Sequence, residues 1–105
     1  MAKTIDLEVP HEHDLEEARA RMEALGDYFK NKANAVVTWN GDTARFVAKY
    51  MMINIDATIE IEDDRVFLEG PDPGRLLRKK AIGYLQGKLE KYLDPNTPVD
   101  KLPRS

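Results

Sequence analysis

Between Ala35 and Leu68 the apolar residues fall at every second position, and the chain can be folded on itself three times without spoiling that alternation. A period of two is the mark of an extended strand with one covered face, and strands joined by tight turns pair antiparallel. A two-residue turn at Asn40-Gly41 sets Trp39 opposite Asp42, Val37 opposite Ala44 and Ala35 opposite Phe46. A turn at Met51-Met52 sets Tyr50 opposite Ile53, Ala48 opposite Ile55, Phe46 opposite Ala57 and Ala44 opposite Ile59. A turn at Asp63-Asp64 sets Ile61 opposite Val66 and Ile59 opposite Leu68. Each register gathers the apolar set on one face, and a slip of one residue would turn it to water. Thr38, Thr43, Arg45, Lys49, Asn54, Asp56, Thr58, Glu60 and Glu69 form the other face, with Val36, Val47 and Phe67 as its apolar exceptions. The pattern specifies a four-stranded antiparallel meander covered on one side.

What covers it lies on either side in the chain. Ile5, Leu7 and Val9 alternate with Thr4, Asp6 and Glu8 as a further strand that Pro10 ends, without a partner that the pattern can choose. Asp14 and Glu17 have the spacing of a capping box. From there Leu15, Ala18, Met22, Leu25 and Phe29 make one stripe of a helix to about Ala33, with Glu16, Glu17, Arg19, Arg21, Glu23, Asp27 and Lys30 as its solvated side. The turn cluster Gly70-Pro71-Asp72-Pro73-Gly74 closes the sheet. A second helix, Arg75 to Leu93, carries Leu77, Ala81, Leu85, Leu89 and Tyr92, broadened by Ile82 and Leu93. The order β-α-β-β-β-β-α gives an α+β two-layer sandwich, a mainly antiparallel sheet with two amphipathic helices on one face. Residues 1–94 form one domain; 95–105 read as a flexible, Pro-rich tail.

With 105 residues the chain suits a single core, and its 42% hydrophobic content exceeds that of a disordered segment. No cysteine is present, which removes disulfides and thiolate chemistry. No apolar run approaches the ~18 residues of a membrane span, and no signal-peptide core opens the chain, so a soluble cytoplasmic domain is expected. The net charge of -3, with only four basic residues clustered and no aromatic ladder among them, argues against nucleic acid.

Few residues suggest chemistry. His11 and His13 could share one side of an extended segment, but a catalytic zinc takes three protein ligands and no third His or any Cys completes the set. His13 is therefore expected before the helix cap and His11 in solvent, with no metal. Glu60, Glu62, Asp63 and Asp64 lack the glycine and ligand spacing of a calcium loop and suit a turn. Arg75, Arg78, Lys79 and Lys80 stand where the helix dipole favours carboxylates. Arg75, Arg78 and Lys79 are thus a candidate anion site for phosphate, a coenzyme A moiety or an acyl anion; the alternative is a solvated basic side neutralised by Asp72. Met51 and Met52 sit at a hairpin tip that prefers Asn or Gly. They are a candidate apolar contact, or else fold back onto the core. Val36, Val47 and Phe67 are a candidate dimer face. Trp39 and Tyr50 read as core. No catalytic constellation or cofactor motif is visible, so an enzyme is not expected.

His13-Asp14-Leu15-Glu16-Glu17-Ala18-Arg19, the Trp39-bearing hairpin and Ile59-Glu60-Ile61-Glu62-Asp63-Asp64-Arg65-Val66 before a closing helix resemble the polyhydroxyalkanoic acid system family. These are small bacterial proteins encoded near polyhydroxyalkanoate genes. The likeness runs from about Val9 to Leu93. Met51-Met52-Ile53 departs from it, standing where members tend to carry glycine. The resemblance supplies no catalytic residue. It implies an accessory or binding role at storage-polymer granules, with a granule or granule protein as partner. The alternatives are a module for an anionic acyl or coenzyme A compound and a homodimeric interaction domain.

Overall fold

The computed structural model describes residues 4–50 and 53–104. Its elements run β1 (Thr4–Pro10), α1 (Leu15–Ala33), β2 (Val36–Asn40), β3 (Thr43–Tyr50), β4 (Ile53–Ile61), β5 (Arg65–Pro71), α2 (Arg75–Leu93) and a short 3-10 turn, Val99–Lys101. All five strands join one antiparallel sheet in the order β1-β5-β4-β3-β2. The expected α+β order is therefore the observed one. The first strand finds its partner in β5, with Leu7 opposite Leu68 and Val9 opposite Val66.

Two of the three expected registers are those of the structure: Ala44 faces Ile59 across β3–β4, and Ile61 faces Val66 across β4–β5. The β2–β3 hairpin differs. Trp39 pairs with Ala44 and Val37 with Phe46, so the turn is Gly41-Asp42 rather than Asn40-Gly41. Only its first central residue has positive φ, Gly41 at 62°, which is what a type II′ turn asks of that position. Moving the turn by one residue moves the pairing by two, so the side chains keep their faces.

The core lies between the sheet and the helices, built from Leu7, Phe46, Ile59, Val66 and Leu68 below and Met22, Leu25, Phe29, Leu89 and Tyr92 above. Asp14 caps α1 as expected, accepting the Glu17 N–H at 2.7 Å. The Glu17 carboxylate turns to Arg21 instead of closing the box. α1 comes close over the β2–β3 hairpin at Gly26, where a side-chain carbon would stand 3.4 Å from Val37.

Three expectations fail on packing. Arg21, read as solvated, is buried at 3% exposure. Leu77, read as core, is exposed, because α2 buries only its C-terminal turns, at Leu89, Tyr92 and Leu93. Residues 95–104, read as a flexible tail, instead turn back along α1. Leu102 is buried, the Tyr92 hydroxyl donates to the Pro103 carbonyl, Asn31 Nδ2 donates to the Arg104 carbonyl at 2.6 Å, and Arg104 pairs with Asp27.

Candidate functional site

The histidines serve the fold. His11 is buried; its Nδ1 accepts the His13 N–H at 3.2 Å, so its Nε2 carries the proton and donates to the Glu62 carbonyl at 2.8 Å. His13 lies in the connection before the Asp14 cap, as expected, and its Nε2 is 2.8 Å from the Leu93 carbonyl. The stacked rings thus tie the β1–α1 connection to the β4–β5 turn and to the end of α2. The expectation that His11 stands in solvent is corrected: a backbone carbonyl and a backbone N–H take its two nitrogens.

At the start of α2, Gly74 is the cap position, with φ 105° and no side chain to offer. Asp72 takes over. Its carboxylate accepts the Gly74 N–H at 2.9 Å and pairs with Arg78 at 2.5 Å. That hydrogen bond, with the attraction behind it, holds the Arg78 guanidinium more firmly protonated than an ordinary arginine. Of the candidate anion residues, Arg78 is thus engaged by an internal carboxylate, while Arg75 and Lys79 stand exposed.

Around them is a surface that the stripe did not anticipate. Leu76 is 93% exposed; Leu77 and Tyr84 are only partly so, and the Tyr84 ring lies beside Phe29 and the Lys88 ammonium. At 100° per residue Leu76, Lys80, Gly83 and Gly87 share the side of α2 turned from the core. Nothing lies within 4 Å of where a side chain on Gly83 or Gly87 would begin. Two narrow apolar clefts, both bordered by Ile55, Ala57, Leu68 and Leu85, lie between α2 and the sheet, while Ala81, Ile82 and Leu85 still pack against the core. Asn54, Pro73 and Ala81 border the same region, so α2 begins at the end of the sheet where β4 begins. Met51 and Met52, the candidate apolar contact, lie outside the described residues, as do the side chains of Tyr50 and Ile53.

The candidate dimer residues are divided. Val36 and Val47 are cross-strand neighbours, 64% and 40% exposed, on the edge pair β2–β3. Phe67 sits on β5 between Glu8 and Glu60, two strands away, with the Arg45–Asp56 pair on the intervening face. It is half-buried in an acidic depression lined by Asp6, Glu60, Glu62 and Glu69. Trp39 is half-buried under the Arg19 guanidinium, 4.8 Å from the ring centre.

Charge follows the same division. α2 holds six Lys and Arg against Glu90 alone, a net +5, while the rest of the chain sums to -8. Among the described residues no three metal-binding side chains converge, and no helix is long and apolar enough to cross a membrane.

A family described as "Putative polyhydroxyalkanoic acid system protein" matches residues 5–96, from the first strand to just past α2. The chain belongs to that family. The match spans all five strands and both helices, which agrees with the resemblance carried by the α1 cap, the Trp39 hairpin and the β4–β5 turn. No curated protein and no solved structure matches this chain.

The sequence pattern passed over Leu76 because it lies about 180° around the helix from Leu85, outside the apolar stripe. The signal for it was present: a leucine off the stripe, flanked by Lys79 and Lys80 at the spacing that puts them on its own side.

Proposed function

We propose that this chain is a non-enzymatic accessory protein that associates with polyhydroxyalkanoate granules, making its contact with the end of the molecule where α2 begins. The observation that carries the reading is Leu76, almost wholly exposed on the outward side of a helix whose fully buried residues all lie in its second half. Large exposed apolar side chains gathered at one place favour an interaction surface. Family membership supplies the storage-polymer context. Met51 and Met52 join this proposal as further apolar contacts. The test is sedimentation of the purified protein with and without native granules at low and high salt. Co-pelleting that weakens on Leu76→Asp supports the proposal; a protein that stays in the supernatant at every salt concentration refutes it.

A second reading, a homodimer through the β2 edge, is favoured by the adjacent exposed valines Val36 and Val47. Its test is sedimentation velocity: a dimer that Val47→Lys converts to monomer supports it, and a monomer at all concentrations refutes it.

A further inference from the structure

The first half of α2 combines two properties. Its outward side carries Leu76 with Leu77 and Tyr84 on its flank, and it lies within a segment of net charge +5 on a chain that is otherwise -8. Arg75, Lys79 and Lys80 surround the leucine within one turn and are exposed. The open sheet face, by contrast, presents Asp6, Glu8, Asp56, Glu60 and Glu69 against Arg45, Lys49 and Arg65, so it is acidic on balance. In a field of one sign such a molecule orients: a negative surface attracts α2 and repels the open sheet face.

We infer that the exposed side of α2, from Arg75 to Tyr84, seats on an anionic lipid surface. This deepens the granule reading and rests on it, by naming the surface that the same helix would meet. Charge complementarity decides the occupant. An uncharged polymer would leave Arg75, Lys79 and Lys80 without partners, whereas phosphate head groups pair with them. Leu76 can then enter the head-group region, where an apolar side chain is favourable. A short apolar element with a few cations gives peripheral, salt-sensitive attachment. Arg75, Leu76, Lys79 and Lys80 are already exposed, so attachment needs no unfolding of the core.

The experiment is co-sedimentation of the full chain with vesicles of phosphatidylglycerol and phosphatidylcholine, against vesicles of phosphatidylcholine alone, at low and high salt. Binding is expected to the anionic vesicles only, and to fall steeply with salt. The double variant Lys79→Gln, Lys80→Gln should weaken it about 25-fold, since each cation near such a surface changes affinity about fivefold. Leu76→Asp should weaken it as well. All three positions are exposed, and circular dichroism checks that the variants keep the fold. No binding to anionic vesicles at low salt overturns the inference, as does binding that the variants leave unchanged. Self-association without vesicles that the same variants abolish also overturns it, in favour of the acidic sheet face of a second copy. Binding to lipid-free polymer particles but not to vesicles defeats the lipid inference and leaves the granule reading standing. Binding to vesicles but not to native granules defeats the granule reading alone.

Discussion

The Arg21 guanidinium donates to the Tyr92 carbonyl at 3.1 Å and, through the same nitrogen, to the Asp94 carbonyl at 3.0 Å. A residue in the middle of the first helix thereby closes the end of the last one. The final carbonyls of a helix have no partners of their own and carry the negative end of its dipole, so a buried cation there is doubly favourable. Arg21→Met keeps much of the packed stem and removes the donors. It should cost about 1.5–3 kcal/mol, read as a lower midpoint in urea unfolding. Glu17, 3.5 Å from the same guanidinium but partly exposed, should matter little: Glu17→Gln should cost less than about 1 kcal/mol. Equal losses for the two variants would show that the ion pair, and not the helix-end contact, is what Arg21 contributes.

The segment after Asp94 makes a sharper contrast, because its composition argues for disorder. Pro95, Asn96, Thr97 and Pro98 stop α2, yet Leu102 is buried and Tyr92 and Asn31 hold the carbonyls of Pro103 and Arg104. Leu102→Ala should therefore destabilise the domain by about 2–5 kcal/mol. That corresponds to a fall in melting temperature of about 4–8 °C for each kcal/mol. In a mobile tail the same change would leave the melting temperature where it was.

These two cases show what the residue pattern could and could not convey. Strand alternation is a local property, and it placed the β3–β4 and β4–β5 registers as the structure has them. The Asn40-Gly41 pair misplaced its turn because both Asn-Gly and Gly-Asp satisfy a two-residue hairpin, and the two choices put the same side chains on the same face. Arg21 was unreadable for a different reason. Its charge argues for solvent, and its burial depends on Tyr92 and Asp94, more than seventy positions away. Leu77 lies on the correct side of its helix, but periodicity gives a direction and not the distance over which a helix stays on its sheet. His11 was likewise decided by the β4–β5 turn that folds back over it.

Two tyrosines should separate in an alkaline titration. A hydrogen bond from Lys88, whose ammonium lies 4.1 Å from the Tyr28 ring centre, draws the Tyr28 phenol below its ordinary value of 10.0. Burial pushes Tyr92 above that value. Phenolate absorbance should rise first from Tyr28, and Tyr28→Phe should remove the early phase. The effects on stability have opposite signs. Tyr28 loses its proton sooner in the folded chain, so it adds stability as pH rises toward 10 and keeps that contribution above it. Tyr92 holds its proton longer when folded, so stability falls as pH climbs beyond 10 toward its folded value. Tyr92→Phe should flatten that alkaline decline, and an unchanged decline would place its cause elsewhere.

Glycines close together in the chain should respond in opposite directions to the same substitution. Gly83 and Gly87 lie inside α2 with open space where a side chain would start. Alanine there removes backbone freedom from the unfolded chain and meets nothing in the folded one. Gly83→Ala and Gly87→Ala should each stabilise by about 0.8–1.0 kcal/mol. Gly74 also has open space around it, but its φ of 105° lies in a region that an L side chain rarely adopts. Gly74→Ala should destabilise by about 1–3 kcal/mol through that strain. It should also loosen the Asp72 carboxylate from the Gly74 N–H, and with it the anchor of Arg78. Thermal unfolding of the three single variants tests this directly. A gain at Gly74, or a loss at Gly83 and Gly87, would mean that the first half of α2 does not hold the helical path described.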